Sequence, residues 1–137
     1  TDKIPGVREI LEYLKNKGIP VGIASSTSKA MVDKEIRSAG LSGYFVGSVG
    51  GDAVTISKPD PEIYLLACRS FHFAPSRTIA IEDSYHGIRS ACAAGLRAIM
   101  VPDIVEADEQ MKRLAERVCR NLFEVKDYFS AILEEER

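Results

Sequence analysis

Short apolar runs separated by segments of helical periodicity constrain this chain more than any other feature. Val21-Gly22-Ile23-Ala24, Thr78-Ile79-Ala80-Ile81 and Ala98-Ile99-Met100-Val101 are too brief for buried helices and lack the polar alternation of a half-solvated strand. Tyr44 to Val49 contains a further strand, and Val118-Cys119 adds a brief apolar stretch. Between them, Val7, Ile10, Leu11 and Leu14 recur at helical spacing after Pro5-Gly6 and before Gly18. Met31, Val32 and Ile36 mark a second helix ending near Gly40, and Pro61 opens a third at its favoured first position. A fourth runs from about Tyr85 to Ala94, stopped by Gly95. A charged helix follows around Asp108 to Glu116, and a closing one carries Val125, Tyr128, Phe129, Ile132 and Leu133. Apolar strands alternating with helices belong to a parallel sheet covered on both faces. The expectation is an α/β, doubly wound, mostly parallel sheet in one domain over residues 1–137, with no repeat, low-complexity tract or linker.

The rest of the composition narrows function. A formal net charge of -2 argues against a nucleic-acid or membrane-surface binder. No apolar run reaches the length of a membrane span, and no basic-then-apolar leader is present. Cys68, Cys92 and Cys119 are odd in number and widely spaced, which speaks for a reducing cytoplasm rather than a disulfide frame. Cys68 and Cys92 sit among apolar neighbours in helices, where cysteine is normally a small core residue. The first residue is Thr1, so the chain is expected to be an excised or processed piece.

Chemistry concentrates at strand ends. Glu82-Asp83 follows the apolar run Thr78–Ile81, and ligands of open α/β sheets bind at the carboxyl ends of strands. Adjacent carboxylates repel unless a cation relieves them, and an all-oxygen set suits a hard ion such as Mg²⁺. The plainer reading is a solvated turn in which Asp83 or Ser84 caps the next helix. Ser25-Ser26-Thr27-Ser28 follows Val21–Ala24 and precedes a helix, a place for an anion cradle or for ordinary N-capping. Lys58, before Pro59, could neutralise a phosphate or steady a carboxylate, although an isolated surface lysine is commoner. His86 beside the acids is expected to pack or cap rather than touch substrate.

Strand-then-Ser25, Lys58-Pro59 and strand-then-Glu82-Asp83, in this order, resemble motifs II, III and IV of the haloacid dehalogenase-like superfamily. Ile4-Pro5-Gly6-Val7, Ser57-Lys58-Pro59-Asp60-Pro61 and Glu82-Asp83-Ser84-Tyr85-His86-Gly87 are similar to its β-phosphoglucomutase-like branch of sugar-phosphate phosphatases and mutases. The resemblance implies a Mg²⁺-dependent phosphatase acting on a small phosphorylated metabolite, with a phosphoglucomutase-type transfer as the alternative. It makes Ser25 and Lys58 catalytic, with Ser25, Ser26, Thr27 and Lys58 holding phosphate or substrate. Asp83, assisted by Glu82, would hold the metal. The family's nucleophile and its acid/base are two aspartates of an Asp-x-Asp motif on its first strand. No Asp-x-Asp occurs in these 137 residues, and the helical cap between motifs I and II is missing as well. The chain alone is therefore expected to be inactive, since covalent transfer has no acceptor.

The same resemblance places the first strand between Val21–Ala24 and Thr78–Ile81. Without it two rows of backbone groups face a gap, and exposed edges invite pairing. The expectation is that the edges close on each other, or that a homodimer or companion segment covers them. Two further readings stand beside a cut enzyme: a non-catalytic phosphate-binding or interaction module, and an unrelated flavodoxin- or receiver-like domain whose acids bind Mg²⁺.

Overall fold

The computed structural model describes residues 4–102 and 107–135. The elements run α1 (Val7–Asn16), β1 (Ile23–Ala24), α2 (Lys29–Ser38), β2 (Ser48–Val49), α3 (Glu62–Phe71), β3 (Ile79–Glu82), α4 (Tyr85–Ala93), β4 (Arg97–Met100), α5 (Glu109–Leu114), β5 (Arg117–Val118) and α6 (Leu122–Glu135). Every strand pairing is parallel, as the apolar runs imply. Boundaries moved by a residue or two. Pro61 is the cap of α3 rather than its first turn, and Tyr44 falls in a 3₁₀ turn before the two-residue β2.

Two cores flank the strands. On one side α3, α4 and α5 cover Ala80, Ala98 and Met100 through Ile63, Ala67, Ile88, Ala91 and Met111. On the other, Ile10 and Leu14 of α1 meet Val125 of α6 over Ile99 and Cys119. Alternation along β4 sends Ala98 and Met100 to the first core and Ile99 to the second. Helices on both faces of parallel strands make the doubly wound α/β architecture expected from the sequence.

The strands form two sheets, β1-β2 and β3-β4-β5. Ile23 and Ser25 donate their N–H groups to Gly47 and Val49, at 3.1 and 3.0 Å, so Gly22 and Ala24 turn theirs the other way. Arg97 and Val101 donate to Thr78 and Glu82, which leaves the backbone of Ile79 and Ile81 facing away from β4. Among the described residues no strand pairs with either of these inner edges. The expected closure of the edges onto each other is absent. β1, expected to be buried, is half-buried, and Ile81 is 39% exposed. Helix packing joins the halves instead: α3 lies on β1 and β2 and touches α4, which lies on β3 and β4.

The course of α3 fixes which end is which. Phe71, at its carboxyl end, lies so close over Gly22 and Gly47 that a Cβ at those glycines would come within 2.4 and 3.0 Å of the ring. Both glycines immediately precede β1 and β2, so α3 runs antiparallel to the strands. Its amino end, with Lys58 just upstream, stands at their carboxyl rim. Lys58 in turn reaches Glu82, the last residue of β3. One rim therefore carries the ends of β1, β2 and β3.

Candidate active site

Glu82 is the centre of the best-defined polar cluster on that rim. Its side chain is 6% exposed, and Oε2 accepts from the Lys58 ammonium at 2.7 Å and from the Tyr64 hydroxyl. Lys58 Nζ also stands 5.3 Å from the centre of the Tyr64 ring, within cation–π range. Burial, followed by the charge of Glu82, pushes the Tyr64 phenol far above its ordinary value, so it stays a donor. Oε1 lies against Gly87, where a Cβ would sit 1.8 Å away. Glycine is required at 87 because the carboxylate occupies the space of its side chain.

The loop bearing Lys58 is fastened at several points. Fully buried Ser90 of α4 donates its hydroxyl to the Asp60 carbonyl at 2.7 Å. Asp60 Oδ2 accepts from the Glu62 N–H at 3.1 Å, and Glu62 Oε2 accepts from Thr55 N–H at 2.6 Å. Asp83 and Ser84 are exposed at the mouth of α4. Ser84 is the cap of that helix, accepting from Gly87 N–H at 3.1 Å. Asp83 is thus left facing solvent. His86 is exposed, its ring 6.0 Å from that of Tyr85.

The second cluster follows β1. Ser25 is half-buried and its Oγ accepts from Thr27 N–H at 3.1 Å, while Ser26 and Thr27 are exposed. The capping reading belongs to Ser28, whose hydroxyl accepts from Met31 N–H at 3.4 Å. Asp52 takes the Lys29 N–H at 3.0 Å, and Gly51 donates to the Thr27 carbonyl at 2.8 Å. A Cβ on Gly51 would lie 2.1 Å from the Ser26 carbonyl oxygen, so the loop after β2 presses the turn into shape. Lys58 and Glu82 are brought into contact, Asp83 follows Glu82 at the exposed end of β3, and Ser25, Ser26 and Thr27 follow β1 on the same rim. Among the described residues no hydrogen bond or ion pair joins the two clusters. Sequence reasoning passed over Tyr64 and Ser90, whose positions read as core; only a check of which core residues carry hydroxyls would have flagged them.

Oxygen donors suit magnesium, which uses one or two carboxylates and keeps several waters. Asp83 fits as an open ligand, whereas Glu82 offers only what Lys58 and Tyr64 leave of it. Among the described residues no group of three or more His, Cys, Asp or Glu could hold a metal. No helix among the described residues is long and apolar enough to cross a membrane.

The chain is thus a doubly wound α/β core with a lysine–glutamate pair and an adjacent exposed aspartate at one strand rim. The sequence model of the haloacid dehalogenase-like hydrolases matches residues 1–101, and the chain belongs to that family. It is 41% identical over 95 residues to the phosphorylated carbohydrates phosphatase of Thermotoga maritima, covering 69% of this chain and 44% of that protein. CbbY of Rhodobacter sphaeroides, solved in complex with phosphate, superposes with a TM-score of 0.80 at 34% identity, over 89% of this chain and 55% of that one. A β-phosphoglucomutase-like protein of Thermotoga maritima gives a TM-score of 0.85 at 32% identity, over 93% of this chain and 60% of that one. The chain spans about half the length of such relatives.

Proposed function

We propose that these residues form the phosphate- and magnesium-holding half of a phosphoric monoester hydrolase acting on a small phosphorylated metabolite, a sugar phosphate first among them. The observation that carries this reading is the Lys58 ammonium at the strand rim. Its side chain is 14% exposed, and Glu82 is its one hydrogen-bonding partner among the described residues. An ammonium has three donors, so two remain for an anion. The exposed Ser26 and Thr27 and the half-buried Ser25 stand on the same rim. A phosphorylated carbohydrate phosphatase among the relatives and phosphate in the CbbY structure support the substrate class.

In this reading Ser25 donates to a phosphoryl oxygen, with Ser26 and Thr27 beside it. Lys58 neutralises charge developing on the transferring group. Asp83, with Glu82 adjacent, holds Mg²⁺, which when bound supplies charge neutralisation to the phosphoryl oxygens. Covalent transfer needs a nucleophile, and no Asp-x-Asp lies within the 137 residues. A parallel strand carrying that pair would find partners on both inner edges, at Gly22 and Ala24 and at Ile79 and Ile81. Hydrolysis is preferred to mutase transfer because the relative sharing 41% identity is a phosphatase. The free cysteines fit a reducing compartment such as the cytoplasm. The test is Mg²⁺-dependent turnover of a sugar-phosphate panel. The 137 residues should show none above an Asp83→Asn control, and a chain extended upstream by an Asp-x-Asp strand should turn substrate over. Failure of the extended chain on every phosphate ester overturns the proposal.

A further inference from the structure

Tyr64 has a place in the cluster that no motif assigns to it. It lies in the first turn of α3, 8% exposed, with its ring in the core beside Ile63 and Ala67. Its hydroxyl reaches past that core to Glu82 Oε2, the atom that also accepts from Lys58. The ring face meanwhile stands 5.3 Å from the ammonium. One side chain therefore touches both halves of the buried ion pair, the carboxylate through its hydroxyl and the ammonium through its π face.

That matters because a lysine is a compact charge on a flexible four-carbon stem. Left to itself it samples many rotamers, and ordering it costs side-chain entropy. Here the stem is aimed by the carboxylate, and the carboxylate is itself wedged between Gly87 and the Tyr64 hydroxyl. Ser90 holds the backbone of the same loop through Asp60. With the hydroxyl deleted, Glu82 loses one of its two hydrogen-bond donors and can swing with Lys58 as a unit.

We infer that Tyr64 is a positioning residue that holds the Lys58 ammonium in its anion-facing place through Glu82. The inference rests on the proposed role of Lys58 in phosphate binding, and its test separates the two. Tyr64→Phe keeps the ring and removes only the hydroxyl; Lys58→Met removes the charge. Inorganic phosphate affinity is measured by ³¹P NMR, and hydrogen exchange of the Lys58 ammonium by ¹⁵Nζ NMR without ligand. Tyr64→Phe should weaken phosphate about three- to tenfold, the worth of one hydrogen bond. It should also speed Lys58 ammonium exchange several-fold, and the midpoint of thermal unfolding should fall by a few degrees while the fold is kept. A merely packed tyrosine would leave the ammonium signal unchanged. If Lys58→Met abolishes phosphate binding but Tyr64→Phe changes neither readout, the positioning role is wrong and the Lys58 role survives. If the unaltered chain binds no phosphate, the Lys58 role fails. The ammonium exchange then decides Tyr64 alone: faster in Tyr64→Phe sustains the inference, and unchanged ends it.

Discussion

Gly87→Ala probes the wedge that holds the Glu82 carboxylate. The new methyl group would stand 1.8 Å from Oε1, 2.1 Å from the carboxyl carbon and 2.7 Å from Oε2, where real Cβ contacts stay above 3.0 Å. The carboxylate must then retreat by roughly 1 Å or more, because close-packed interiors have no slack to absorb the overlap. Retreat breaks its contacts with Lys58 and Tyr64, and disrupting a buried ion pair costs about 3–5 kcal/mol. Alanine returns up to about 1 kcal/mol through helix propensity, so the net loss is about 2–4 kcal/mol. At about 3–4 °C per kcal/mol for a chain of this size, the midpoint of thermal unfolding should fall by about 10 °C. Urea and thermal melts followed by circular dichroism measure the change, and a Glu82→Ala background supplies the control. With the carboxylate gone, the same glycine-to-alanine change should become neutral or slightly stabilising. A neutral Gly87→Ala in the presence of Glu82 would refute the wedge.

Other expectations concern the groups away from the rim. Arg97 donates to both oxygens of Glu116, each at 2.6 Å, and holds its carboxyl below the usual range, with the Tyr128 hydroxyl helping. A folded value below the unfolded one means this stabilisation is whole above pH 4.5 and disappears as pH falls through the folded value. Carboxyl ¹³C NMR should show Glu116 titrating low, and Arg97→Gln should return it toward the free range; an unmoved titration would contradict the pairing. Burial pushes the Cys68, Cys92 and Cys119 thiols up. Alkylation at pH 7 should therefore run at least about tenfold slower in the folded chain than in urea, since only thiolate reacts.

The sequence carried the architecture well because apolar runs and helical periodicity report burial, and burial is what a two-faced parallel sheet requires. It pointed to Lys58, Glu82 and Asp83 as candidates because acids close a strand and a lysine stands a few residues before a helix, and the contact of Lys58 with Glu82 agrees with that grouping. It did not carry their internal arrangement. Glu82 and Asp83 are neighbours in sequence, yet strand alternation buries the first against Gly87 and leaves the second in solvent. Tyr64 and Ser90 obey the helical apolar pattern, so periodicity cannot show that their hydroxyls are engaged. The persistence of the split between β1 and β3 was equally illegible, since whether edges close depends on how α3 and α4 space the halves.

The measurement closest to the centre of this account is a ¹H–¹⁵N NMR titration of the chain with inorganic phosphate in the presence of Mg²⁺. Amides of residues 25–28, 57–58 and 82–84 should shift together along one binding curve. Shifts confined to one of these segments, or following separate curves, would mean that the two clusters on the rim do not form one site.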